Sequence, residues 1–133
     1  MEKETLKELI NMELQKCDEC FTASALSLEK ELYNSSVSSA YYSVLHAAKA
    51  VLLSQNIEAF THNGISSKFA LNFVKKGIFD KRFSRLFGRL RKAREDGEYK
   101  TVIIYTKQEA SLRIEEAREF IKEMKAFLKD YIN

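Results

Sequence analysis

Leu6, Ile10, Leu14, Cys17, Phe21, Ala25, Leu28 and Leu32 recur at steps of three and four with Lys and Glu between them. That spacing puts the apolar positions on one stripe and predicts an amphipathic helix over residues 4–33. Thr5 and Glu8 stand at the spacing of a capping box near its start. Asn34, Ser35 and Ser36 form a polar break whose side chains can cap a second helix, in which Val37, Tyr41, Val44, Ala48 and Val51 repeat the period to about Ser54. So short a break leaves room only for a sharp turn, and the two helices are expected to pack antiparallel. Residues 55–64, with Asn56, Thr61, His62, Asn63 and Gly64, show no period and predict a loop, followed by a short helix over 65–76 that ends at Gly77.

Asp80 is a suitable N-cap for a further helix in which Phe83, Leu86, Leu90 and Ala93 define the buried stripe. Glu95-Asp-Gly-Glu-Tyr99 is expected to interrupt it. Thr101-Val-Ile-Ile-Tyr105 has the β-branched composition of a strand, yet no second strand is available for pairing, so it is expected to be buried loop or helix extension. Thr106 and Glu109 form another capping box ahead of Ala110, Ile114, Ala117, Ile121, Met124, Leu128 and Tyr131 at regular 4-3 spacing. The expected fold is all-α, an antiparallel four-helix bundle with an additional short helix, in one domain over 1–133.

Composition agrees with this. The 133 residues include no proline and only four glycines, as long uninterrupted helices require. Two cysteines do not make a disulfide framework, and an acidic amino terminus with no long apolar run predicts neither signal peptide nor membrane anchor. A reduced, cytoplasmic setting is the expectation.

Charge changes the picture more. The net +3 conceals a segment, residues 75–94, with nine basic groups and one acidic, a net of +8, while residues 1–33 carry four basic and eight acidic. Such a local excess fits an RNA or nucleotide footprint, and equally a solvated face or a patch that docks an acidic partner. On a helical projection Arg82, Arg85, Arg89 and Lys92 line one flank of this helix. Arg91 adds to the same basic segment, while Arg94 falls with Phe87 on the opposite flank, beside the apolar face. An arginine at that border can bind a phosphate bidentately, or form an ordinary salt bridge to Glu95, Asp96 or Glu98.

Other candidates are less directed. Cys17-Asp-Glu-Cys20 is a lone CxxC in mid-helix, without the further ligands a zinc site needs, and Cys17 belongs to the apolar stripe. His46 and Tyr42 lie beside the buried stripe of the second helix, where a histidine is a packing residue or a proton carrier. His62 lies in the predicted loop, as a turn residue or a functional one. There is no phosphate-binding glycine loop, no nucleophile elbow and no metal-binding motif, so no cofactor and no metal is expected.

Ser38-Ser-Ala-Tyr-Tyr-Ser-Val-Leu-His-Ala-Ala-Lys-Ala-Val-Leu52, Thr61-His-Asn-Gly64 and Arg94-Glu-Asp-Gly-Glu-Tyr99, in that order and ahead of a charged last helix, resemble the HEPN domain family of bacteria and archaea over about residues 10–128. The resemblance implies a homodimer and a frequent partner, a small nucleotidyltransferase, in toxin and antitoxin pairs. Active members are metal-independent ribonucleases with an arginine and, after four to six intervening residues, a histidine. The histidine can move a proton near neutral pH, and the arginine can stabilise charge on the scissile phosphate. Arg94 matches the arginine, but the positions that follow at that spacing are Tyr99, Lys100 and Thr101, and Ser39 stands where related sequences often have a basic residue. Catalysis would then need His46 or His62 to reach Arg94 from another helix. The resemblance also implies that a partner could attach AMP to a tyrosine placed like Tyr99.

Overall fold

The computed structural model describes residues 1–132. Helix α1 (Lys3–Glu29) is followed by α2 (Tyr33–Ser54) and a short α3 (His62–Phe69) that runs into one π-helical turn, Ala70–Val74. Helices α4 (Lys81–Tyr99) and α5 (Lys107–Phe127) complete an all-α bundle of four long helices and one short one. The first pair is antiparallel, because Ser24 near the end of α1 bonds Ser36 near the start of α2, while Glu13 midway along α1 meets His46 further along α2.

Three helix ends share one solution. After α1 the Leu32 N–H donates to Ser27 O at 2.8 Å and the Glu31 N–H to Leu28 O at 3.1 Å. Asn56 and Ile57 do the same after α2, as do Gly77 and Ile78 after the π turn. In each the residue past the C-cap takes left-handed backbone, at φ of 62° for Glu31, 59° for Asn56 and 76° for Gly77. This is the Schellman motif, which satisfies the last helical carbonyls. Its use at Glu31 corrects the predicted boundary. The break lies at residues 30–32, and Asn34, Ser35 and Ser36 belong to the first turn of α2.

Four further expectations change. Helix α1 starts at Lys3, with Glu2 at the cap and making no side-chain bond, so Thr5 and Glu8 are not a capping box. His62 is the first residue of α3 rather than part of a loop, and Thr61 caps that helix by accepting from the Gly64 N–H at 2.9 Å. Glu95–Tyr99 does not interrupt α4, which continues through Tyr99. The 101–105 segment is an irregular link, and Val102 and Ile104 are 87% and 81% exposed rather than buried. Asp80 and Thr106 cap α4 and α5 as expected, accepting from the N–H groups of Arg82 and Glu109.

The core is aromatic where the helices converge. Phe69 stacks within 6.0 Å of Phe73, Phe79, Phe87 and Phe120, measured between ring centroids, and Tyr41 continues the cluster at 6.2 Å from Phe87. Side chains of this size dominate burial, and their edge-to-face contacts add to it. The fully buried Tyr41 carries the cluster to the last two turns of α4.

Those turns are fixed from the other end of the molecule. The Asn34 side chain donates to Gly97 O at 3.0 Å and Ile103 O at 2.9 Å and accepts from the Tyr105 N–H at 2.8 Å. Gly97 O is one of the helix-end carbonyls with no partner inside α4, so Asn34 caps the helix while pinning the link that follows. The Tyr105 hydroxyl donates to Ala93 O at 2.7 Å. Glycine is required at 97, since a Cβ there would stand 2.9 Å from the Tyr105 ring and 3.3 Å from Asn34 Nδ2.

Candidate functional site

Ser38, Tyr41 and Tyr42 are one helical turn apart on α2 and face α4, whose Arg91, Arg94, Glu95 and Glu98 follow at steps of three and four. His62 enters from the first turn of α3. Arg94 sits at the centre with only 13% of its side chain exposed. Its Nη2 donates to the Tyr42 hydroxyl at 2.8 Å and pairs with Glu98 Oε2 at 3.1 Å. The other Glu98 oxygen accepts from the Ser38 hydroxyl at 2.8 Å. The guanidinium carbon lies 5.3 Å from the Tyr42 ring centre, 5.6 Å from Tyr99 and 6.0 Å from Tyr41, within cation–π range. Burial works against its charge, but Tyr42, Glu98 and Tyr99 outweigh that and hold the pKa above the ordinary arginine value. Its Nε is buried and has no hydrogen-bond partner among the described residues.

His62 Nδ1 lies 2.6 Å from the Tyr41 hydroxyl, its ring stacks on Tyr41 at 5.6 Å and meets Tyr42 edge-on at 6.0 Å. Burial, then the positive charges of Arg94 and Arg91, push the imidazole pKa below 6.5, against the pull of Glu95. That shift favours the neutral imidazole. Burial also raises Tyr41 to about 12, so its phenol stays protonated. If Nδ1 donates to Tyr41, Nε2 is a base; if Tyr41 donates, Nε2 carries the proton and faces an anion as a donor. The arrangement thus joins a fixed cation to a neutral imidazole, the groups that phosphodiester chemistry uses without metal.

The HEPN domain family model matches residues 11–127. The chain belongs to the HEPN domain family. A Methanocaldococcus jannaschii HEPN relative named "Putative toxin MJ0605" is 31% identical over 127 residues, covering 96% of this chain and 94% of its own. A second protein of that organism, named "Putative toxin MJ0142", is 28% identical over 126 residues, covering 95% and 83%. A Thermotoga maritima "UPF0332 protein" is 25% identical over 124 residues, covering 93% and 94%.

Within this HEPN domain the structure gathers Arg94, Tyr99, Tyr42, Arg91 and His62, but not His46. His46 Nδ1 is 2.7 Å from Glu13 Oε2, and Lys49 pairs with the other Glu13 oxygen at 3.4 Å. Burial opposes the Glu13 charge, yet His46 and Lys49 lower its pKa. Glu13 and Lys49 border a groove of about 250 Å³ also lined by Leu52, Leu53, Ile57 and Phe60. Cys17 is buried, which pushes its thiol to about 12.

The basic segment is less available than its +8 suggests. Arg82 pairs with Glu119, Arg89 with Glu116 at 2.8 Å, Arg91 with Glu95 at 3.1 Å and Lys92 with Asp96 at 3.6 Å. Among the described residues only Lys75, Lys76, Lys81 and Arg85 of this segment lack an ion pair. Sequence reasoning overlooked Asn34 as a clamp and Ser38 and Tyr41 as site residues. The turn-by-turn spacing of Ser38, Tyr41 and Tyr42 was the signal for two of these, whereas Asn34 reaches partners more than 60 residues away and leaves no local pattern.

Proposed function

We propose that this HEPN protein is a toxin-type module that binds RNA at Arg94 and cleaves it without metal, acting as a homodimer with a small nucleotidyltransferase partner in the cytoplasm. The observation that carries the reading is the packing of His62 and Arg94 against the same Tyr41–Tyr42 pair, in a chain whose Arg94 is followed by Tyr99, Lys100 and Thr101 where a histidine would be expected. Arg94 holds the scissile phosphate. His62 takes the proton of the adjacent ribose 2′-hydroxyl as its oxygen bonds phosphorus, the bond to the 5′ oxygen breaks, and the proton passes to that leaving oxygen. The products are a 2′,3′-cyclic phosphate and a 5′-hydroxyl. Relatives named "Putative toxin" support the module, and exposed Val102 and Ile104 support an interface with another chain. The absence of any helix long and apolar enough to cross a membrane, among the described residues, is compatible with this setting.

The test is incubation of purified protein with tRNA and mixed RNA in chelator, with and without the partner, alongside Arg94→Ala, His62→Ala and His46→Ala. Cleavage lost in the first two variants and kept in the third is the expected outcome. Cleavage that ignores Arg94, or none in any condition, removes the enzyme reading. One observation favours a second reading, a non-catalytic module that docks an acidic protein: Lys75, Lys76, Lys81 and Arg85 cluster around the start of α4 with no internal carboxylate. Charge reversal at Lys81 and Arg85 that abolishes partner binding, in a protein with no cleavage, would favour it.

A further inference from the structure

Tyr99 is the last residue of α4, 72% exposed, with its ring centre 5.6 Å from the Arg94 guanidinium. The backbone that displays this phenol is held in place by its neighbours. Asn34 caps Gly97 two residues earlier and grips Ile103 and Tyr105 just beyond, and Tyr105 ties the link back to Ala93. The ring is presented from a fixed backbone, so little ordering cost is incurred when a flat ligand lands on it.

The charges around it define the ligand further. A duplex lying on this site would need several free cations near it, yet Arg91, Lys92 and Lys100 are each paired with a carboxylate of this chain, and the unpaired Lys75, Lys76, Lys81 and Arg85 lie around the opposite end of α4. Next to Tyr99 stands one cation centre, Arg94, whose pairing with the half-exposed Glu98 a phosphate can displace. One phosphate beside one aromatic face matches a nucleotide whose base is unstacked. Bases inside a duplex have no free π face, whereas those of single strands and loops stack readily on tyrosine.

We infer that Tyr99 is a stacking platform for an unpaired base of the nucleotide whose phosphate is held by Arg94. This rests on the reading of Arg94 as the phosphate-binding residue. Tyr99 selects by base accessibility, and its hydroxyl is dispensable.

The experiment is fluorescence anisotropy with a labelled, 2′-O-methyl single-stranded oligonucleotide and the same strand hybridised to its complement. Wild type is compared with Tyr99→Phe, Tyr99→Leu and Arg94→Ala, with melting curves to verify that each variant folds. The single strand is expected to bind more tightly than the duplex. Tyr99→Phe should match wild type, and Tyr99→Leu, which keeps the apolar bulk but no ring, should bind about 5- to 150-fold more weakly. Equal affinity for duplex, or a leucine variant within twofold of wild type, overturns the inference. If Arg94→Ala loses binding while Tyr99→Leu does not, only the platform falls. If Arg94→Ala also binds normally, the underlying phosphate site falls with it.

Discussion

Glu98 takes up the Arg94 guanidinium group that the proposed phosphate would need. Its carboxylate spans Ser38 and Arg94, so any phosphate must compete with it. A pair whose carboxylate is open to solvent, as that of Glu98 is, is worth up to about 1 kcal/mol. Glu98→Gln is therefore expected to raise the affinity of Arg94 for a phosphate-bearing oligonucleotide by up to about fivefold, measurable by the same anisotropy titration. His62 gives a pH signature. Folding lowers its pKa below 6.5, so the folded state resists protonation that the unfolded chain accepts. At pH 7 and above this has no effect; as pH falls from 6.5 through the lowered value, stability declines. His62→Gln should flatten that part of a denaturation midpoint plotted against pH. A cleavage rate that depends on the neutral imidazole should have its acidic limb below pH 6.5 as well.

At the scale of the element, the helix ends separate what a sequence can announce from what it cannot. Gly77 marks its stop openly, because glycine is the residue for left-handed backbone, and Asn56 is the next most suitable. Glu31 fills the same slot with none of that signature, so the visible Asn-Ser-Ser run drew the boundary several residues too far along. Replacing Glu31 by Gly should stabilise the protein by up to about 1 kcal/mol in urea unfolding, since the strained backbone is relieved without loss of a contact. The periodic faces of α2, α4 and α5 were legible because burial repeats along each helix. The 101–105 link was not, because Val102 and Ile104 point outward while Asn34, far away in sequence, supplies its hydrogen bonds at Ile103 and Tyr105. Asn34→Ala removes these two and the bond to Gly97 O, and is expected to cost about 2 to 3 kcal/mol. Hydrogen exchange should show residues 97–105 loosened first.

Across the whole molecule, the charge segregation visible along the chain is largely cancelled in space. The carboxylates Glu116 and Glu119 of α5 meet Arg89 and Arg82 of α4, and Glu95, Asp96 and Glu98 meet cations one turn earlier. Nucleic-acid binding should for this reason have a shallow salt dependence. A slope of about −0.7 to −1.4 in log–log form is expected, as for one or two phosphates on a single strand. A slope several times steeper would mean that the unpaired Lys75, Lys76, Lys81 and Arg85 also contact phosphates, or that ion pairs of the +8 segment open on binding. The family and the bundle could be read from motif order and periodicity, but the grouping of His62 with Arg94 could not, because it depends on how α3 meets α4 rather than on spacing within either helix.

The Asn34 clamp has a temporal consequence. Chains are made from the amino terminus, and the clamp joins position 34 to backbone groups at 97, 103 and 105. A growing chain that has synthesised Arg94, Tyr99 and His62 still lacks the segment that braces them until Tyr105 has emerged. A protein with a damaging activity would gain from this order, because truncated products of interrupted synthesis carry Arg94 and Tyr99 without the brace that holds the end of α4.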